Sequence, residues 1–182
     1  VVDNIILAFE FADNDVYRAV THNKGIMNGI IAVANAVGQD SRAIDAAANA
    51  YAAKSGSYRS LSKWSKDDDG NLVGILEIPL SVGIVGGIVN VHPVAKVCTK
   101  ILGALSAQEL ACILTATGLA QNFSAIRALS TEGIQKGHMR LHARNLAAAA
   151  GATPEQIDEI VEKMIEGKMI SLDKAKELLE QI

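Results

Sequence analysis

The apolar positions in the first part of the chain recur at the spacing of amphipathic helices. Over residues 3–12 (DNIILAFEFA) the apolar side chains fall on one helical face, and a polar DND triplet then interrupts the pattern. A second helix is predicted over 19–37, and an alanine-rich third helix over Arg42–Lys54. Asp40 or Ser41 is a suitable N-cap for that third helix.

The middle of the chain changes to a pattern that favours strands. Residues 60–66 alternate weakly between polar and apolar positions, the DDDG sequence at Asp67–Gly70 is typical of a turn, and Leu72–Ile78 is rich in β-favouring residues. This arrangement predicts a β-hairpin. The apolar, glycine-rich stretch SVGIVGGIVN at 81–90 predicts a buried strand and a tight turn.

The last third of the chain has a helical pattern, which begins at Val94 and continues almost to the end. Its final part divides into two short, charged amphipathic helices, over about 154–166 and 172–181. Thr153 and Gln156 have the spacing of a capping box at the start of the first of these helices.

The composition excludes some classes of protein. Of the 182 residues, 49% are hydrophobic and 20% are charged, which excludes an intrinsically disordered chain. Because only 4% are aromatic, the core must be built from Ala, Val, Ile and Leu. The net charge is −3 and no long basic block occurs, so we expect neither a nucleic acid nor a membrane as the partner.

The chain has two cysteines, Cys98 and Cys112. Their spacing fits no metal site, and two thiols do not make a disulfide framework. We expect both to be buried small residues in a reducing compartment. The expected location is the cytoplasm, without a signal peptide.

The segment THNKGIMNG at 21–29 carries the first candidate for chemistry, Lys24. This lysine is either an exposed surface residue or a buried cation that faces a pocket, with Asn28 one helical turn further along the same face. In the second case the ammonium suits an oxygen that gains negative charge during a reaction. Asp40 is likewise either only an N-cap or a carboxylate that pairs with a lysine and keeps it charged.

Histidines provide the second candidate. The sequence GHMRLH places His138 and His142 one helical turn apart, but the metalloprotease motif has Glu after the first His, and here Met139 follows. We therefore expect no metal. A general acid is the more natural role, because an imidazole titrates near neutral pH. His22 and His92 are expected to be packed or hydrogen-bonded structural residues.

The glycine-rich sequence GIVGG at 83–87 has neither the spacing of the dinucleotide fingerprint nor that of the P-loop. It is either a tight backbone crossing or a place where a flat ligand approaches the backbone closely.

Six segments, taken together and in order, are similar to one known family. They are THNKGIMNG, GQDSRAIDAAANAYAA, EIPLSVGIVGG, HPVAK, TGLAQNFSAIRAL and TEGIQKGHMRLHARNLA. They resemble the C-terminal part of the hydroxymethylglutaryl-coenzyme A (HMG-CoA) reductases, above all the class II form of bacteria and archaea, over nearly all of 1–150. Gln39 and Ser41 stand where Asn and Trp are common in the family, which keeps the Asp40 carboxylate but changes its surroundings.

This resemblance implies a reaction and three catalytic residues. The family reduces the HMG-CoA thioester to mevalonate and free coenzyme A with two hydrides from NADH or NADPH. Its catalytic lysine, aspartate and histidine correspond to Lys24, Asp40 and His138. Lys24 would stabilise charge on the carbonyl oxygen, Asp40 would hydrogen-bond Lys24, and His138 would protonate the departing thiolate.

The same resemblance assigns binding roles to five residues. Arg18 and Asn28 would contact the carboxylate and hydroxyl end of the substrate. Gln121 would lie near coenzyme A, and Val85 and Gly86 near the nicotinamide.

The resemblance also implies a domain organisation. We expect a helix-rich α+β substrate-binding and dimerisation domain with a small β-sheet at 1–137, and a mobile C-terminal helical flap at 138–182, with Gly133 and Gly137 as its hinge. The family's catalytic glutamate segment and its NAD(P)-binding domain have no counterpart in these residues, so the chain is expected to be part of a longer enzyme. That enzyme would be a homodimer or a higher homo-oligomer with its active site between subunits. The alternative is a fragment that binds a coenzyme A thioester or dimerises without turnover.

Overall fold

The computed structural model describes residues 1–131 and 133–181, with the side chains of all of these except 89, 90 and 134–136. In this part of the chain, helices predominate and two short strands form one sheet, as expected from the sequence. The elements in order are α1 (Val2–Asn14), α2 (Val16–Ala36), α3 (Ser41–Ala52), β1 (Ser62–Lys66), β2 (Leu72–Leu76), a 3₁₀ helix (Gly87–Asn90), α4 (Pro93–Leu102), α5 (Ala107–Leu129), α6 (Ile134–Ala149), α7 (Pro154–Glu166) and α8 (Leu172–Leu179).

The chain forms two compact units, Val1–Thr131 and Glu132–Ile182. The second unit thus begins a few residues before the boundary at 137/138 expected from the sequence. In the first unit α2 packs most extensively against α5. A Cβ on Gly118 of α5 would lie 2.7 Å from Ile30 Cδ1 of α2, so a glycine lets the two helices approach closely. The central core is built mainly from aliphatic residues, as expected from the low aromatic content.

The two strands form the predicted hairpin. They are antiparallel, and Ser62 pairs with Leu76 and Lys66 with Leu72. The connecting turn is held by the side chain of Asp67, whose Oδ1 accepts from the backbone N of Asn71 at 2.7 Å. The buried Trp64 on β1 packs against Phe123 of α5, with the ring centroids 5.7 Å apart, which fixes the hairpin on that helix.

The prediction of a buried strand within 81–90 is wrong. This stretch has no strand and ends in the 3₁₀ helix, and Val85 is 88% exposed. Gly86 and Gly87 have φ values of 85° and 58°, and this left-handed backbone breaks an extended strand. The expected burial of the cysteines is also wrong, since Cys98 is half-buried and Cys112 is exposed.

The pair α4 and α5 follows this stretch. His92 caps α4 by accepting from the backbone N of Ala95 at 3.4 Å, in agreement with the structural role expected for it. Ser106 caps α5 by accepting from the backbone N of Glu109 at 3.0 Å. By length and hydropathy no single helix among the described residues could cross a membrane, and α4 and α5 pass the same test only as a pair bent by 83°.

The second unit is a small helical unit with its own core. Helices α6, α7 and α8 surround an apolar cluster, and the backbone N of Thr153 donates to Gln156 Oε1 at 3.0 Å at the start of α7. Arg140 and Arg144 on α6 form ion pairs with Glu162 and Asp158 on α7. The buried members of the cluster are Ala143, Ala147, Ile160, Val161, Met164, Ala175 and Leu178.

Two glycine-to-alanine variants are expected to change stability in opposite directions. An alanine at Gly25 meets no atom within 4 Å, so Gly25→Ala should raise the free energy of unfolding by about 1 kcal/mol through helix propensity. Gly118→Ala gains the same propensity but places its Cβ against Ile30, and should lower that energy by about 1–3 kcal/mol. Urea unfolding of the two variants measures the difference. Equal effects would show that α2 and α5 do not approach as closely as described.

Candidate active site

Helix α2 carries three of the eight residues to which the sequence gave a catalytic or binding role, Arg18, Lys24 and Asn28. Its N-cap Asp15 accepts from the backbone N of Arg18 at 2.7 Å. Lys24 and Asn28 lie one turn apart on an exposed face and line a cavity of about 260 Å³ between α2 and α3. The full lining is Val20, Asn23, Lys24, Met27, Asn28, Ile31, Asp45, Asn49 and Tyr58. Lys24 is therefore an exposed lysine that also faces a cavity, and the burial considered for it is wrong.

The buried side chain of His22 fixes the rotation of α2. His22 Nε2 lies 2.8 Å from Ser62 Oγ on β1 and 3.1 Å from Asn122 Nδ2 on α5. Asn122 Oδ1 in turn accepts from Ser62 Oγ at 2.9 Å and from Trp64 Nε1 at 2.8 Å. This network joins three elements within the first unit and confirms the structural role predicted for His22.

Asn23 adds a second anchor beside His22. Its Nδ2 donates to the backbone O of Arg59 at 2.8 Å, and its Oδ1 accepts from the backbone N of Leu61 at 2.9 Å. Each residue turns a helix by about 100°, so two consecutive side chains fixed in the interior leave the next one outside. The placement of Lys24 in the cavity follows from these two buried neighbours.

Burial lowers the pKa of His22 to about 4, and the positive charge of Arg18 acts in the same direction. The unfolded imidazole binds its proton near pH 6.5. Between these values the unfolded state holds more protons, so His22 should lower stability as the pH falls from about 6.5 to 4. Above about pH 6.5 His22 costs the folded state no stability. Below about pH 4 the loss is complete and amounts to about 3 kcal/mol.

Urea unfolding at several pH values checks this expectation. In His22→Gln the side-chain amide stands in for Nε2 but takes up no proton. The variant should therefore show a smaller loss of unfolding free energy between pH 6.5 and 4 than the wild type. The same pH slope in both proteins would contradict the role of His22.

Asp40 lies at the start of α3 with its side chain exposed. Its Oδ1 accepts from the backbone N of Arg42 at 3.1 Å and of Ala43 at 3.2 Å, which confirms the N-cap. Among residues 1–131, no hydrogen bond or ion pair joins Asp40 to Lys24. A role of Asp40 in holding the lysine stays a prediction.

Asp45 is a candidate that the sequence reasoning missed. It is half-buried on α3 and lines the same cavity as Lys24, while Asn49 one turn later accepts from Tyr58 Oη at 2.7 Å. The buried Ile44 and Ala48 define the apolar side of α3. Helical spacing then places Asp45 and Asn49 together on another side, which is the signal that could have indicated them.

The other predicted substrate residues lie on α2 and α5. Arg18 is half-buried, which lowers the pKa of its guanidinium, and its Nη1 donates to Thr21 Oγ1 at 2.7 Å. Gln121 is exposed on α5, and a Cβ on Gly29 would lie 3.0 Å from its Cβ. Gln121 therefore packs against Gly29 at the crossing of α5 with α2. The substrate contacts of these residues stay predictions.

Val85 and Gly86 lie in an open stretch of backbone before the 3₁₀ helix. Both are exposed, and a Cβ on Gly86 would meet no atom within 4 Å. An accessible backbone without side-chain cover is what a flat ring needs in order to approach closely. The nicotinamide contact that the resemblance implies for these residues stays a prediction.

His138 lies in the second unit, on the first turns of α6, and its side chain is exposed. His142, one turn later on the same helix, is also exposed. The imidazole of His138 is accessible to a reacting group, as a general acid must be.

Comparison with known proteins shows the family. Residues 1–143 match the family model described as hydroxymethylglutaryl-coenzyme A reductase, and the chain belongs to this family. It is 56% identical over 182 residues to the 3-hydroxy-3-methylglutaryl-coenzyme A reductase of Archaeoglobus fulgidus, covering 100% of this chain and 42% of that protein. It is 42% identical over 169 residues to the probable reductase of Borreliella burgdorferi, covering 91% of this chain and 39% of that protein.

Solved structures of reductases are similar to the structure of this chain. The 3-hydroxy-3-methylglutaryl-coenzyme A reductase of Streptococcus pneumoniae superposes with a TM-score of 0.70 at 44% identity, covering 99% of this chain and 43% of that chain. The class II enzyme of the same organism, bound to NADPH in open conformations, gives a TM-score of 0.70 at 45% identity, covering 99% and 44%. The fold class is confirmed, and the chain spans less than half the length of each of these relatives.

Proposed function

We propose that this chain is part of an HMG-CoA reductase, an NAD(P)H-dependent oxidoreductase that converts HMG-CoA to mevalonate and coenzyme A, or the reverse. In a chain of this family, one observation supports this proposal: the exposed face of α2 that carries Lys24 and Asn28. There Lys24 and Asn28 face one cavity because His22 and Asn23 are fixed in the interior. The reaction belongs to the mevalonate pathway of isoprenoid biosynthesis.

Lys24 has the chemistry that both reduction steps need. Each hydride addition puts negative charge on a carbonyl oxygen, first of the thioester and then of the aldehyde. An ammonium placed at this oxygen stabilises the charge as it develops. The half-buried Asp45 lines the same cavity as Lys24, so a carboxylate lies on the wall of the cavity that this ammonium faces.

His138 is proposed to act between the two reductions. The tetrahedral intermediate collapses and expels the coenzyme A thiolate, and a proton from His138 converts it to the thiol. The neutral thiol is a poor nucleophile, so protonation opposes the return of sulfur to the aldehyde. In this proposal residues 138–182 are a mobile flap that closes over the site and excludes water from this step.

The nicotinamide is proposed to lie against Val85 and Gly86, and two NAD(P)H molecules bound there in turn would supply one hydride each. Arg18 and Asn28 would hold the carboxylate and hydroxyl end of the substrate, since a guanidinium and an amide suit these groups. Gln121 would lie on the coenzyme A side. NADPH is the dinucleotide bound by the S. pneumoniae relative, and the proposed cofactor of this chain is NADH or NADPH.

The complete enzyme is proposed to be a cytoplasmic homodimer or higher homo-oligomer with its active site at a subunit interface. Lys24 and Asp40 are both exposed in the single chain, which supports a site that further residues complete. Because the chain spans less than half of its relatives' length, we propose as the second candidate that it alone binds a coenzyme A thioester or dimerises without turnover.

Kinetic measurements on two proteins test these proposals. The full-length polypeptide should oxidise the reduced nicotinamide only when HMG-CoA is present, with two equivalents consumed per mevalonate. The 182-residue chain should show no turnover. If the full-length protein binds HMG-CoA but never oxidises the nicotinamide, the reductase proposal is wrong and the binding candidate remains.

A further inference from the structure

The turn between α2 and α3 is fastened to the glycine-rich segment by the side chain of Gln39. Gln39 Nε2 donates to the backbone O of Gly83 at 2.8 Å, and Gln39 Oε1 accepts from the backbone N of Gly83 at 2.9 Å. Two residues of an antiparallel sheet exchange the same pair of hydrogen bonds. The glutamine amide thus acts as a one-residue strand partner for Gly83.

A second contact joins the same two segments. Gly38 has a φ of 70°, and a Cβ at this position would lie 2.5 Å from Ile88 Cγ2. The turn therefore meets the glycine-rich stretch on both sides of Val85 and Gly86, at Gly83 and at Ile88. The exposed Val85 and Gly86 form the short bridge between these two attachments.

The other end of the connection is Asp40, the residue that follows Gln39. Its carboxylate caps α3 and is held by two backbone N–H groups. Gln39, the residue directly before this fixed carboxylate, is consequently hydrogen-bonded to Gly83, two positions before Val85. A shift of this side chain would move the open backbone relative to Asp40.

We propose that Gln39 is a positioning residue, which sets the place of the Val85–Gly86 backbone relative to Asp40 through its paired hydrogen bonds to Gly83. The inference rests on the proposed reductase function, in which this backbone receives the nicotinamide. Gln39 does not touch a reacting group in this proposal. It should therefore affect the fit of the dinucleotide more than the binding of HMG-CoA.

Two variants separate the hydrogen bonds from the shape of the side chain. Gln39→Leu removes both hydrogen bonds, whereas Gln39→Glu keeps the length and the acceptor for Gly83 N but places a carboxylate oxygen against Gly83 O. Gln108→Leu, an exposed glutamine on the first turn of α5, is the matched control.

Amide hydrogen exchange of the full-length enzyme is the first measurement. The backbone N–H of Gly83 should exchange at least about tenfold faster in Gln39→Leu than in the wild type, because it loses its acceptor. The amides of α5 should be unchanged, and Gln108→Leu should match the wild type at Gly83. Unchanged exchange at Gly83 in Gln39→Leu would overturn the proposal.

Kinetics of the full-length enzyme provide the second measurement. Both Gln39 variants should raise the KM for the dinucleotide about tenfold, while the KM for HMG-CoA stays within twofold. A merely structural residue would lower the amount of active enzyme and leave both KM values unchanged, and this result would also overturn the proposal. Absence of reductase activity in the wild type would instead refute the proposed function, and hydrogen exchange would then decide whether Gln39 holds the segment.

Discussion

Lys24→Ala in the full-length enzyme is expected to abolish both hydride steps, with kcat reduced at least about 10³-fold. Removal of one group that stabilises a developing oxyanion typically costs 10²–10³ in rate, and here the lost group carries a full positive charge that serves both steps. Reduction of the thioester and reduction of the free aldehyde should therefore fall together. Steady-state assays with HMG-CoA and with mevaldehyde measure the two steps separately.

The fold should tolerate this substitution. The Lys24 side chain is exposed, and α2 is held by the buried His22 and Asn23, so the melting temperature of Lys24→Ala should stay close to that of the wild type. Lys63→Ala, which removes an exposed lysine from β1, is the matched control and should keep normal turnover. Near-normal turnover of Lys24→Ala would show that the assignment of the lysine is wrong.

The helices could be predicted because their signals are local. The apolar spacing over 3–12 and the caps at Asp40 and Thr153 are readable from neighbouring residues, and α1, α3 and α7 occur where these signals place them. The stretch 81–90 has no such signal. Its apolar residues suit a buried strand, but the left-handed backbone at Gly86 and Gly87, which the sequence does not display, breaks such a strand, and Val85 is exposed.

The candidate site was predictable in its residues but not in its contacts. Lys24 and Asn28 share a face because of helical spacing alone. The network that orients this face joins His22 to Ser62 and Asn122, which are far apart in sequence and meet only in the folded chain.

Asp40 and Asp45 differ in the same way in how far the sequence predicts their surroundings. The cap formed by Asp40 depends only on the next few residues, whereas the placement of Asp45 in the cavity depends on how α3 packs against α2. A single sequence indicates which residues can do chemistry, and tertiary packing decides which of them face the same cavity.

His138→Gln in the full-length enzyme is expected to separate the two half-reactions. Loss of a positioned general acid typically lowers a rate 10²–10⁴-fold, and in the proposed mechanism only the departure of the thiolate needs this acid. Reduction of HMG-CoA should therefore fall by about this factor, while reduction of free mevaldehyde stays close to the wild-type rate. His142→Gln, which changes an exposed side chain one turn later on α6, is the matched control and should affect neither rate.

The comparison of these rates distinguishes proton donation from a structural effect of the flap. A disturbed α6 would slow both substrates, since in the proposed mechanism the flap serves both reductions. A selective loss with HMG-CoA requires a group that acts on sulfur, because the aldehyde reaction releases none. Equal loss of both activities in His138→Gln would refute the protonation of the thiolate by His138. The assignment of Lys24 to the carbonyl oxygen would then depend on the Lys24→Ala result alone.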